Sequence, residues 1–424
     1  MTNEEEKVES LNQVLAYAKT APFYSNRIGN NKLTSLADLK TIPITTKQDL
    51  REQSPYGLLA TDNSLLAQYH ESSGTTGQPV SIWYSAKDLK EITDQIATSG
   101  VTMTNQDVVL IRFPYALSTI SHFLHEAVQT CGGCVIPADS RTTITPMPKV
   151  IDLLSRLRVT VLACIPLQAI MLAEMATLLG FDPRTDFPNL RAICTAGEPL
   201  TPYKRDLIEE IWEVPVFDNY GMTEIGTAMV DCQEQQLHLF EEMFHIEILK
   251  DDLQNEVKDG EVGNLVITTL RNRATPLIRY ATGDLVQRKE KKCLCGKGHP
   301  YVIRGRKEES LLIQDQIFDI YELEAILSPL TAKRFWVAGT IDDQLYLLIE
   351  KENDSDQVSN EYIKVLEDYY KVNLFIYLLD KGTLYDRSEP LAFGMKAKPR
   401  YFLTGTELKN LLAERGILDD SKER

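Results

Sequence analysis

Between residues 107 and 220, short β-branched and aliphatic runs alternate with helical segments, and no other feature constrains the fold as strongly. VVLIRF (108–113), CVIP (134–137), VTVLACI (159–165), RAICTA (191–196) and VPVFD (214–218) read as strands. HFLHEAVQT, PKVIDLLSRL, LQAIMLAEMATLL and KRDLIEEIW read as the helices between them. Strand–helix alternation of this kind builds a parallel sheet covered on both faces, because each crossover lays a helix on the sheet. Ligands in such sheets bind beyond the carboxyl ends of the strands. The segments AGEPLT (196–201) and DNYGMTE (218–224) are therefore candidate binding loops on topology alone.

Outside this block the pattern changes. Residues 2–20 read as an amphipathic helix with a capping box from Thr2 and Glu5 and an apolar face of Val8, Leu11, Leu15 and Ala18. Between 236 and 290, HLFEEMFHIEIL, GNLVITTL and PLIRYATGDLVQR are strands without helices and predict a second, antiparallel sheet. Beyond Arg304, the strands FWVAGT and LYLLIEK and a helix near SNEYIKVLEDYY predict a small α+β domain. The expected class is α/β. A large N-terminal domain (1–303), with a doubly wound, mostly parallel sheet and a β-rich subdomain, precedes a small mobile α+β C-terminal domain (304–424).

Net charge is −16, which disfavours nucleic acid and anionic membrane surfaces as partners. The apolar run 159–181 is interrupted by Pro166, Gln168 and Glu174 and divides into a strand and a helix, so no membrane span is expected. The seven cysteines do not suggest a secreted disulfide framework, and an acidic N-terminus lacks signal-peptide character. The expected location is the cytoplasm.

SSGTTGQP (72–79) is a loop whose glycines allow close backbone approach and whose hydroxyls and amides suit phosphate oxygens; no Gly-Lys-Ser/Thr follows, so it is not a Walker loop. AGEPLT, DNYGMTE, YATGDL (280–285) and IRGRKEE (303–309) follow it in order. These five motifs resemble the core motifs of the adenylate-forming enzymes. LNQVLAYAKTAPFYSNRIG, LADLKTIPITTKQDLREQSPYGLLA, LHLFEEMFHIEIL and TTLRNRATPLIRYATGDL resemble the phenylacetate-coenzyme A ligase branch. The resemblance covers residues 10–310 and is loose beyond.

The resemblance implies ATP-dependent activation of a carboxylic acid as an acyl-adenylate, with release of pyrophosphate, then transfer to a thiol, usually that of coenzyme A. It implies that Ser72, Ser73, Gly74, Thr75, Thr76 and Gly77 hold the leaving phosphates. Gly197, Glu198 and Pro199 would flank one adenine face, and Tyr220, within Asp218, Asn219, Tyr220, Gly221 and Met222, the other. Thr223 would touch the α-phosphate, Glu224 would ligate Mg²⁺, Asp284 would accept the ribose hydroxyls, and Arg306 would lie beside the nucleotide. Glu308 matches the family hinge, and Lys396, with Lys398 close behind, the catalytic lysine. Segment position puts the acid, aromatic or compact, against Tyr115, Ala116, Ser121 and His122, with Ala196 and Gly221 at the floor.

Two departures matter. Many relatives read GTTGKP where this chain reads GTTGQP; Mg²⁺ and the cations Arg279, Arg304, Arg306 and Lys307 are candidates to supply the charge that Gln78 lacks. After the Gly-Arg motif, LLIQDQIFDIY puts Asp315 where relatives have glycine, which leaves open a carrier-protein thiol or an amine as acceptor. A nucleotide-binding protein without catalysis is the remaining alternative, and a homodimer stays open. Separately, Cys232, His238, Cys293 and Cys295 form C-x5-H and C-x-C pairs suited to a structural Zn²⁺, with His299 the alternative nitrogen ligand. Cys131-Gly-Gly-Cys134 reads as a helix-end turn entering a strand.

Overall fold

The structure, a computed structural model, describes residues 3–30, 32–72, 78–387 and 400–417. The N-terminal helix α1 (Asn3–Ala18) buries Val8, Leu11, Leu15 and Ala18, the face its periodicity predicts, and Thr2 lies outside the described residues. The short helices α2 (Pro22–Ser25) and α3 (Lys47–Gln53) follow. Thr46 starts α3 by accepting a hydrogen bond from the Asp49 amide, while Asp49 accepts from the Thr46 amide, so both unpaired donors are satisfied. An antiparallel hairpin, β1 (Leu66–Glu71) and β2 (Ser81–Ser85), then frames the loop between them.

The main sheet has eleven strands. Its first half is the predicted block: β3 (Val108–Ile111), β4 (Cys134–Pro137), β5 (Val161–Cys164), β6 (Ala192–Ala196) and β7 (Val216–Met222) pair in parallel in the order β7-β6-β5-β3-β4. Alternate side chains feed two cores. Val109, Ile111, Val161 and Ala163 pack with α4 (Ala86–Ile96) and α5 (Thr119–Thr130) on one face. Leu110, Leu162, Cys164 and Ile193 pack with α6 (Met147–Arg156), α7 (Pro166–Leu178) and α8 (Pro202–Trp212) on the other. Every residue of α7 from Pro166 to Ala176 is buried, which accounts for the long apolar run. No helix among the described residues is long and apolar enough to cross a membrane.

The antiparallel strands do not form the separate second sheet expected between 236 and 290. β8 (Gly226–Asp231) and β9 (Leu237–Leu239) continue the main sheet from β7, followed in space by β13 (Tyr301–Arg306), β12 (Tyr280–Arg288), β11 (Val262–Thr269) and β10 (Phe244–Leu249). The reason is hydrogen-bond satisfaction: β8 doubles back on β7 within a few residues, so the edge of the parallel block is paired rather than exposed.

The C-terminal part holds a hairpin, β14 (Leu311–Ile313) and β15 (Gln316–Phe318), and a four-stranded sheet. That sheet, ordered β18-β17-β16-β19, consists of β16 (Trp336–Ile341), β17 (Gln344–Glu350), β18 (Leu374–Leu379) and β19 (Phe402–Leu403). Helices α9 (Ile320–Leu327), α10 (Asn360–Tyr370) and α11 (Gly405–Glu414) complete it. Gln314 and Asp315 both take positive φ, 48° and 66°, the geometry of a tight two-residue hairpin turn, so an aspartate here occupies a conformation that favours glycine.

The seam between the two parts is charged. Lys204 of α8 pairs with Glu324 of α9 at 2.6 Å and donates to the Tyr401 hydroxyl at 3.1 Å, with all three residues buried. Thr201 donates to the same carboxylate. Glu174 of α7 meets Lys381 at 2.8 Å and Arg387 at 3.3 Å. Phe335 from the small part joins the apolar cluster around Trp212.

Candidate functional site

A cavity of about 520 Å³ opens at the carboxyl ends of the parallel strands, where the topology predicts a ligand site. Gly197, Glu198 and Pro199 line it after β6, and Asp218, Asn219, Tyr220, Gly221, Met222, Thr223 and Glu224 line it along and after β7. Asp284 on β12 and Arg306 on β13 complete it from the antiparallel half, and Tyr401 and Phe402 close it from the small part. Gly197 takes φ +85°, a conformation an L side chain resists, which leaves bare backbone facing the cavity.

The side chains form three coupled groups. The Tyr220 hydroxyl donates to Asp284 at 2.6 Å, and Arg306 lies 3.8 Å from the other oxygen of that carboxylate. Register explains the second contact, since Asp284 and Arg306 are direct partners on adjacent strands. Burial, with the Asp284 charge beside it, holds the Tyr220 phenol well above its ordinary value, so it stays a donor. Next, the buried Glu224 carboxylate has the Lys47 ammonium 3.6 Å away and the Tyr280 hydroxyl 3.5 Å away. Tyr84 donates to the Thr223 carbonyl at 2.7 Å, fixing the turn that presents Thr223 and Glu224.

The third group surrounds Asp218, which accepts from the Thr195 hydroxyl at 2.8 Å, while its amide donates to Asp231 at 2.7 Å. Burial, then the Asp231 carboxylate, pushes the Asp218 carboxyl up to about 8, against the pull of Arg205. The folded protein therefore holds a proton that the unfolded chain releases in the ordinary carboxylate range, so this contribution to stability is lost as pH rises toward about 8. Asp218→Asn removes that linkage. Its melting temperature relative to wild type is expected to climb between about pH 5 and 8 and level off above, and a difference independent of pH would refute the assignment.

The expected acid pocket is only partly as predicted. Ala116, Ala196 and Gly221 line the cavity, but Tyr115, Ser121 and His122 do not. Ser121 is buried and donates to the Pro114 carbonyl at 2.7 Å, and His122 bonds the Tyr115 carbonyl at 2.9 Å. Both hold the turn at the start of α5. Tyr115 packs against His122 and His125. The apolar wall comes from Phe113, Ile120, Phe123, Leu124 and Ile165. Sequence reasoning missed these because helical periodicity marks Phe123 and Leu124 as core without saying that the core borders a cavity.

The expected charge donors also change. Arg279 is buried and bonded through two nitrogens to Glu247, at 2.8 and 2.9 Å. Arg304 is held by Asp319 at 2.6 Å and by Glu322 at 2.8 Å, and Lys307 pairs with Asp251 at 2.6 Å. None of the three lines the cavity; Arg306 does. Ser72 lines it and closes the neck of its loop, its hydroxyl accepting from the Val80 amide at 2.9 Å. Ser73, Gly74, Thr75, Thr76 and Gly77, and Lys396 with Lys398, lie outside the described residues.

About the far end of β12, Cys232, His238, Cys293 and Cys295 bring their ligand atoms within 4.8 Å of one another. Cys232 and Cys293 sulfurs are 3.8 Å apart, and the Cys295 sulfur is 3.3 Å from His238 Nε2. Gly296 and Gly298, both at positive φ, fold the C-x-C turn so that the Lys297 amide donates to the Cys295 sulfur at 3.5 Å. His299 instead bonds the Lys289 carbonyl at 2.9 Å and is not in the cluster. The Cys131–Cys134 segment is the predicted helix-end turn entering β4.

The profile of the AMP-binding enzymes matches residues 27–270. The phenylacetate-coenzyme A ligase of Thermus thermophilus is 31% identical over 75% of this chain and 74% of its own length. That of Pseudomonas putida is 30% identical over 73% and 71%. Among solved structures, 2-hydroxyisobutyryl-CoA ligase in its postadenylation state superimposes with a TM-score of 0.86 at 21% identity, covering 97% of this chain and 91% of that one. The same enzyme in its thioesterification state, with coverage of 97% and 92%, gives 0.68.

Proposed function

The chain belongs to the AMP-binding enzyme family, in the phenylacetate-coenzyme A ligase branch, as an AMP-forming acid–thiol ligase; on that premise we propose that it activates an aromatic or other compact carboxylic acid and passes the acyl group to coenzyme A. The observation that carries this reading is a single cavity in which Gly197–Pro199, the Tyr220–Asp284 pair and Glu224 adjoin an apolar wall of Phe113, Ile120, Phe123, Leu124 and Ile165. An acid oxygen attacks the α-phosphorus of ATP as the bond to pyrophosphate breaks; the thiol sulfur then attacks the acyl carbon and AMP leaves. Asp284, oriented by Tyr220 and Arg306, accepts the ribose hydroxyls, and Tyr220 and the Gly197 backbone flank the base. Thr223 reaches the α-phosphate. The buried Glu224 carboxylate is a hard oxygen donor of the kind Mg²⁺ takes, and that ion would offset triphosphate charge.

ATP–pyrophosphate exchange across a panel of aromatic and short aliphatic acids tests the reading. At least one acid is expected to support exchange well above background; ATP binding with no exchange from any acid would leave the non-catalytic alternative. Adding coenzyme A, a carrier protein or amines then separates the acceptors. The carrier-protein alternative draws support from one feature, the exposed apolar side chains Leu312 and Ile317 on the β14–β15 hairpin.

We also assign the small part its own role, swinging about the turn 307–310 that contains Glu308. The domain boundary expected at 303/304 falls within β13, which runs to Arg306 in the main sheet, and this supports a hinge after Arg306, at the expected Glu308. Proximity of the fold to the postadenylation state supports reading the present arrangement as that of the first half-reaction.

Finally, we propose that Cys232, His238, Cys293 and Cys295 hold a structural Zn²⁺. Four ligands at Zn–S of about 2.3 Å in a tetrahedron put sulfurs about 3.8 Å apart, the spacing of Cys232 and Cys293. Four protein ligands leave no open position for substrate, and the cluster does not border the cavity, so the role is structural. The cytoplasm is the compartment we propose, in keeping with reduced thiols at this site.

A further inference from the structure

The loop 72–79 brings no positive charge to a triphosphate, and Glu71 and Glu224 bring negative charge to the cavity beside it. Cations must come from elsewhere. The described basic residues that line the cavity are Lys47, Arg51, Arg141 and Arg306. Arg306 lies 3.8 Å from Asp284, the carboxylate that also accepts from Tyr220. Arg141 follows β4, four strands from β7 in the sheet, so its backbone starts on the order of 19 Å away at the usual strand spacing. Lys47 and Arg51 remain.

Both stand on one face of α3, four residues apart, and α3 is fixed in place. Its capping box sets the first turn, Leu50 is fully buried, and the Thr45 amide before it donates to the Arg279 carbonyl at 2.8 Å. From that platform Lys47 reaches within 3.6 Å of Glu224, and Arg51 Nε donates at 3.1 Å to the backbone carbonyl of Gln78, the last turn of the loop. The two cations thus mark the two sides of one space, between the Thr223–Glu224 turn and Gln78.

We infer that Lys47 and Arg51 are phosphate-binding residues that supply, from α3, the positive charge for the β- and γ-phosphates of ATP. The inference rests on the proposed adenylation reaction and deepens it. Lys47 neutralises Glu224 before nucleotide binds and is within reach of phosphate oxygens once it does. Arg51, tied to the Gln78 carbonyl, brings its charge to the same space. Gln78 is then tolerable because the charge was never required at that position.

The test compares ligands that differ only in those phosphates. Lys47→Gln is expected to weaken ATP and pyrophosphate binding by at least about tenfold, roughly 1.4 kcal/mol, and to change AMP binding by less than about threefold in calorimetric titration. Lys47→Met, closer in volume, should do the same, and a melting curve shows that each variant is folded. Gln78→Lys in the Lys47→Gln background should recover most of the lost ATP affinity, while Gln78→Lys alone changes wild-type exchange by less than about tenfold. Equal loss for ATP and AMP, or loss for neither, would overturn the inference while leaving adenylation standing if the wild type exchanges. A wild type that neither binds ATP nor exchanges overturns both.

Discussion

Glu224→Gln is expected to lower ATP–pyrophosphate exchange on the order of a thousandfold, about 4 kcal/mol of barrier, with the fold intact. The carboxylate is buried at the cavity wall, and its position is set from two sides, by the Tyr84 hydroxyl on the Thr223 carbonyl and by Tyr280. Glutamine keeps the volume and an oxygen for Tyr280 but loses the charge that would hold Mg²⁺ and that pairs with Lys47. Removal of a buried charge beside a lysine that is one-third exposed leaves a cation that water can still reach, so stability should change little. Near-normal exchange by the variant at ordinary Mg²⁺ would end the assignment of Glu224 to the metal.

The second large effect is on stability. Cys295→Ser should lose the proposed zinc, expected at about one ion per chain when wild type is measured by elemental analysis, and lower the melting temperature by on the order of 5–10 °C. The four ligands tie the turn after β8 and the start of β9 to the turn after β12, segments some sixty residues apart in sequence. Without the ion, two buried ligands, Cys232 and His238, lose their partners. ATP affinity should survive, because the cluster does not line the cavity. Unchanged metal content in the variant, or metal-free wild type, would return these residues to ordinary packing roles.

Local periodicity was enough to read the parallel block strand by strand, because its runs are bounded and its helices amphipathic. It did not show that the antiparallel strands extend the same sheet, since edge pairing between β8 and β9 depends on chain direction in space, not on pattern. For the site, ordered motifs carried the backbone-rich loops and the acidic residues. Segment position, the ground for setting Tyr115, Ser121 and His122 against the acid, carries no information on local turns: Ser121 and His122 bond local carbonyls, and Tyr115 packs on His122 and His125. Lys47 and Arg51 carried no signal of their own, being two ordinary cations on a short helix until α3 is placed against Glu224 and Gln78. Arg279 is the converse: a cation in a motif, used to hold Glu247 and the Lys40 and Ile42 carbonyls.

The charged seam between the two parts bears on how easily they part company. An apolar contact resists opening because each square ångström exposed costs about 25 cal/mol. An ion pair behaves differently: the desolvation spent on closing Lys204 against Glu324 is returned when both reach water together. Closure held this way is specific yet releasable, since only the matched orientation pairs Lys204 with Glu324 and Glu174 with Lys381 and Arg387, while separation would return the buried Lys204 and Glu324 to water together. Removing one partner alone is the costly change, because it strands a charge in the closed state. On the proposed swing of the small part, the seam would work as a detent, a position that part settles into and can leave.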